Sequence, residues 1–132
     1  LSVQLNHTIV HCRDNRKSAE FLADILGLTA GEQWGPFVPV VLANDVTLDF
    51  ATVGPEVAEI TPQHYAFLVT EDEFDAAFAR IQDRGLPFWA DPQRQRPGEI
   101  NQNDSGRGVY FPDPDGHYLE LLTIPYGGWP AR

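Results

Sequence analysis

The chain reads as one structural unit written twice, and that repeat limits what it can fold into. A strand-like run opens at His7 (His7-Thr8-Ile9-Val10-His11) and leads into an amphipathic stretch that stops at Gly27. A second run opens at His64 (His64-Tyr65-Ala66-Phe67-Leu68-Val69) and leads into another that stops at Gly85. Each unit closes on a strand carrying a carboxylate after a leucine, Leu48-Asp49 in one and Leu119-Glu120 in the other. A histidine therefore starts each unit and an acid ends it, a pattern able to bring four metal-ligating side chains to one place.

The local signals support this division. Asp14 or Asn15 serves as N-cap for a helix in which Ala19, Leu22 and Leu26 share a face with Phe21 and Ile25 beside them. Gly27 supplies the left-handed residue that ends it. Strands are predicted at residues 31–34, 37–43 and 46–53, with Asn44-Asp45 as a two-residue hairpin signal. Residues 54–62 connect the modules. In the second unit Thr70 and Glu73 form a capping box ahead of Phe74, Ala77, Phe78 and Ile81 at helical spacing. Strands are predicted at 86–90, 108–111 and 117–123, the last two joined by the Pro112-Asp113-Pro114-Asp115-Gly116 turn. The second unit is the longer, and most of its excess lies in residues 91–107, a polar stretch read equally as a flap or as a solvated loop.

One helix and three strands cannot cover their own sheet on both faces, so the two sheets must cooperate. The expected fold is α+β: two βαβββ modules, about 1–53 and 62–125 of a single domain spanning 1–132. Together they make an open, mostly antiparallel, barrel-like sheet with the helices outside. Composition agrees, with 42% hydrophobic residues and 11% aromatics. A net charge of −10 disfavours nucleic acid and anionic membrane as partners. No apolar run reaches the ~20 residues of a membrane helix. The lone Cys12 excludes an intrachain disulfide and is compatible with a cytoplasmic location, and its expected place is the core.

The repeat, with the stretch from Gly106 to Leu121 and its Val109-Tyr110-Phe111 and Asp113-Pro114-Asp115-Gly116 segments before Leu119-Glu120-Leu121, resembles the vicinal oxygen chelate superfamily. That superfamily includes glyoxalase I, bleomycin-resistance proteins and extradiol dioxygenases. The resemblance implies a divalent metal held by His7, His64 and Glu120, with Asp49 at the position of a fourth ligand in the glyoxalase and epimerase branches. Two imidazoles and a carboxylate suit a first-row divalent ion, Fe, Mn, Ni or Zn, and leave positions open for substrate oxygens. On strand alternation Glu120 shares a face with Tyr118 and Leu122, which makes His117 a turn residue and not a ligand. His11 lies on the His7 face but too far along the strand to be a direct ligand.

The resemblance implies a metal-dependent enzyme, a lyase, isomerase or dioxygenase, that chelates a small oxygen-rich substrate. Asp49 is expected as fourth ligand or metal-linked base, and Tyr110 and Arg107 as groups that orient substrate. Trp34, Phe37 and Trp89 are candidates for apolar pocket wall. A homodimer is expected, because relatives pair their modules and open sheet edges need covering. The alternative is a non-catalytic, acidic dimer that sequesters a cationic drug, as bleomycin-resistance proteins do. The fosfomycin-resistance branch shares the metal triad, and Tyr110 resembles a tyrosine of its phosphonate pocket. Its basic cluster is poorly matched here, since Lys17 lies on the first helix and Ile9 stands where a hydroxyl would serve.

Overall fold

The computed structural model describes residues 2–128. The chain divides into two compact units, with the boundary between Ile60 and Thr61. Each carries one α-helix and a three-stranded sheet.

In the first unit, β1 (His7–Cys12) leads into α1 (Asn15–Leu26), followed by β2 (Phe37–Val41) and β3 (Thr47–Thr52). Asp14 is the N-cap, its side chain accepting from the Lys17 N–H, and Gly27 closes the helix at φ 72°. The sheet order is β1-β3-β2, with β1 parallel and β2 antiparallel to β3. Alternation divides the strands. Val10, Cys12, Val38, Val40, Leu48 and Phe50 are buried, as are Ala19, Phe21, Leu22, Ala23 and Ile25 of α1, which packs on this sheet. The other face carries His7, Ile9 and His11, exposed, beside the partly exposed Thr47, Asp49 and Ala51.

The second unit repeats the order with β4 (His64–Leu68), α2 (Glu71–Asp83), β5 (Gly108–Pro112) and β6 (Tyr118–Leu122). Its sheet runs β4-β6-β5, with β4 parallel and β5 antiparallel to β6. The capping box forms as the sequence requires: Thr70 accepts from Glu73 N–H, and the Glu73 carboxylate accepts from Thr70 N–H. Phe67, Val109, Phe111, Leu119 and Leu121 are buried, along with Phe74, Ala77 and Ile81 of α2. Phe78 packs edge-on against Phe88 at 5.0 Å.

Three local expectations change. Residues 31–34 do not form a strand: Gly31 N–H donates to the Pro39 carbonyl at 2.8 Å, and Trp34 makes a single bridge to Phe37. Pro39 has no N–H to return, so the antiparallel pair stays one-sided. Residues 86–90 likewise reduce to bridges at Trp89, where Pro87 interrupts the run. The sheets therefore have three strands and not four, and each mixes parallel with antiparallel pairing. The hairpin between β2 and β3 closes through a three-residue turn, not two. Asp45 N–H donates to Leu42 O while Asp45 takes φ 66°, the left-handed residue that follows a type I turn.

Candidate active site

In the second unit, β6 brings Glu120 between two neighbours. Ala66 of β4 lies opposite it on one side and Tyr110 of β5 on the other, and His64 opens β4 one step before on the same face. Glu120 is 1% exposed, so its carboxylate must be satisfied by the protein. Oε1 lies 3.1 Å from His64 Nε2. Oε2 accepts from the Tyr126 hydroxyl, and the Tyr126 oxygen lies 2.8 Å from that of Tyr110. Since the Tyr126 hydrogen is used on Glu120, the hydrogen between the two phenols belongs to Tyr110. The His64 and Tyr110 rings stack at 6.1 Å and 25°.

The other ring nitrogen of His64 decides what Nε2 offers. Nδ1 stands 3.0 Å from the Tyr118 carbonyl oxygen, which only accepts, so Nδ1 carries the hydrogen. A neutral ring then presents the Nε2 lone pair to a carboxylate oxygen. Two lone pairs facing at this distance call for a positive charge between or upon them, a proton or a cation. Two ligand atoms ~2.1 Å from one ion and at right angles to it lie ~3 Å apart, so the pair suits a metal's coordination edge. A backbone carbonyl holding the far nitrogen is the usual second support of a metal-bound imidazole. The donor set fits a divalent ion.

Both phenols stay protonated at neutral pH. Burial is the main cause that raises Tyr110 above its ordinary value. Burial, followed by the hydrogen bond to Glu120, raises Tyr126 strongly. They are fixed O–H donors. Tyr126 escaped sequence reasoning because it lies beyond the last strand, in a short turn (Tyr126–Gly128) with no repeat partner in the first module.

The remaining candidates are placed as follows. His7 is exposed at the start of β1, its Nδ1 2.8 Å from Asn6 Oδ1. Asp49 lies on β3 opposite Ile9 and Pro39. Among the described residues of one chain, no group of three or more His, Cys, Asp or Glu side chains is gathered where one ion would bind. His117 is 1% exposed, and its Nδ1 accepts from Gln63 N–H at 2.9 Å, a structural role. Arg107 is engaged by α2: its guanidinium meets Glu71 at 2.7 Å and Asp75 at 2.9 Å and lies over the Phe74 ring. Hydrogen bonds from Thr123 and then Arg107 hold the Glu71 carboxyl below its usual range. Trp34 is exposed, while Trp89 lies 4.5 Å beneath the Arg94 guanidinium, which also covers Tyr118 at 4.8 Å. Cys12 is buried. Among the described residues, no helix is long and apolar enough to cross a membrane.

Residues 4–121 match the model of the Glyoxalase/Bleomycin resistance protein/Dioxygenase superfamily. The chain belongs to that superfamily. It is 34% identical to glutathione transferase FosA of Serratia marcescens over 89% of this chain and 78% of that protein. Among solved structures it is similar to oxidase ChaP-H2, with 60% identity and a TM-score of 0.93, covering 97% of this chain and 99% of that one. Oxidase ChaP-H1 gives 62% identity and a TM-score of 0.90, covering 96% and 100%. The α+β fold is that of the superfamily, and the chain is a metal-dependent enzyme within it.

Proposed function

We propose that this chain is a metal-dependent oxidase that acts on a small oxygen-rich organic molecule bound through two adjacent oxygens. The observation that carries the reading is the buried Glu120 carboxylate facing the lone-pair nitrogen of His64. The likeness to the two oxidases over nearly the whole chain favours oxidation over the transfer chemistry of the more distant transferase. His64 and Glu120 hold the ion together with His7, and Asp49 serves as fourth ligand or as the base linked to it. His7 completes the set, from the same chain or from the second copy of a cytoplasmic homodimer.

A two-histidine, one-carboxylate set with open positions is the ligand set of non-haem iron, so iron is the proposed metal. Bound there, it supplies a Lewis-acid and redox centre for a chelated substrate and dioxygen. The protein supplies orientation. Tyr118 O fixes the His64 ring, Tyr126 holds Glu120, and the Tyr110 ring stacks on His64. Arg107 has no part in this proposal.

The test is oxygen uptake by iron-loaded protein offered ortho-diphenols and α-hydroxyketones, whose two oxygens are adjacent. Uptake stoichiometric with substrate loss, and absent in Glu120→Ala, is the expected result. Consumption of glutathione without oxygen would move the chain to the transferase reading. Ligand binding indifferent to chelator would make it a sequestering protein.

A further inference from the structure

We infer that Tyr126 is a positioning residue that restricts Glu120 to a single free oxygen, Oε1, for the metal. The inference rests on the metal reading above and concerns a residue that no motif contains. The two carboxylate oxygens have different partners: Oε1 faces His64 Nε2, and Oε2 takes the Tyr126 hydroxyl. Glu120 is buried, so solvent does not stand in for that donor. The Tyr110 hydroxyl, 2.8 Å from the Tyr126 oxygen, donates to it and leaves the Tyr126 hydrogen one direction to point.

The long stretch before β5 secures the turn that carries Tyr126. Asp104 Oδ1 accepts the Gly127 N–H at 3.1 Å, and Gly127 sits at φ 63°, where glycine alone is unstrained. Asp104 and Ser105 themselves hold positive φ, at 55° and 64°, a costly conformation for residues with a Cβ. Gly128 N–H closes the turn onto the Pro125 carbonyl at 2.8 Å. The extra residues of the second module thus work as a bracket that returns the chain beyond β6 to its own buried carboxylate.

The experiment titrates cobalt(II) into the full chain and reads both affinity and the visible spectrum of the bound ion. Tyr126→Phe keeps the ring but leaves Oε2 without its donor. The carboxylate is then free to rotate or to take a proton in competition with the metal. The expected result is roughly 10- to 100-fold weaker binding, the usual cost of removing a partner of a metal ligand, with an altered spectrum. Asp104→Ala, acting only through the turn, is expected to move both readouts the same way by less. Glu120→Ala separates the inference from the reading beneath it. If the wild-type chain binds no cobalt, or Glu120→Ala binds as wild type, the metal reading falls and this inference with it. If Glu120→Ala loses cobalt while Tyr126→Phe keeps wild-type affinity and spectrum, only the role given to Tyr126 is overturned.

Discussion

Asp49 and Glu120 hold the same register position in their two sheets. Asp49 lies between Ile9 of the parallel strand and Pro39 of the antiparallel one, and Glu120 lies between Ala66 and Tyr110. Each stands one step along its face from the histidine that opens the parallel strand. The surroundings differ: Glu120 is buried against two phenols, while Asp49 is partly exposed and has a proline where Glu120 has Tyr110.

That difference predicts unequal roles for the two acids. Glu120→Ala, like His64→Ala, is expected to abolish metal retention with the fold intact, since both side chains lie on the sheet face opposite the buried Leu119 and Leu121. Asp49→Ala should weaken retention by a smaller factor and depress turnover more than binding. Elemental analysis after desalting, with circular dichroism as the control, reads the first. A full metal complement in both Glu120→Ala and His64→Ala would remove the site assignment.

Mixing two inactive variants tests where His7 comes from. If His7 of one chain completes the site of its partner, a heterodimer of His7→Ala with His64→Ala contains one intact site. Refolded mixtures should then recover up to half a metal per dimer where each parent retains none. Recovery of nothing would place all three ligands in one chain. A monomeric mass in light scattering would remove the dimer altogether.

Metal retention should also depend on pH. Ligation needs neutral imidazole, and free histidine takes up a proton near ~6.5, so bound metal should be released as pH falls below roughly 6. Above that pH the ion stabilises the fold by mass action, about 2.7 kcal/mol at a hundredfold excess over Kd. Adding EDTA at pH 7.5 should then lower Tm by several degrees. An unchanged Tm with every one of Mn, Fe, Ni and Zn would contradict the metal reading.

A second pH effect belongs to the Asp113 turn and needs no metal. Asp113 Oδ1 accepts from Asp115 N–H at 2.8 Å and His117 N–H at 2.9 Å, yet burial raises its pKa above the ordinary value. A carboxyl whose folded pKa is raised favours the folded state least when charged. Its penalty is absent below the unfolded value near ~3.9 and grows to full size as pH rises through the folded one. Asp113→Asn keeps an oxygen for both N–H groups and removes the charge. Relative to wild type, the metal-free variant should gain stability as pH rises from about 4 to neutrality. A Tm difference that stays flat across that range would show that Asp113 carries no such penalty.

What the amino-acid order determined by itself was the local and the repeated. Helix limits follow from side chains acting on their own backbone, Asp14 and Gly27 in one module, Thr70 and Glu73 in the other. The division into buried and open faces follows from alternation along each strand, which is why Glu120 could be assigned to a face with Tyr118 and Leu122 in advance, whereas His64 and Tyr110 were named from the family resemblance and joined to that face by the strand register. Tertiary structure alone decided three other matters. Pro39 leaves the edge beside it one-sided, since whether a missing N–H matters depends on which neighbour faces it. Arg107, next to the family's strongest motif, turned to Glu71 and Asp75 because α2 places two carboxylates within its reach. Tyr126 meets Glu120 only because a turn anchored on Asp104 folds the chain back. Periodicity carries information along a strand or helix, whereas such contacts join side chains that no repeat relates.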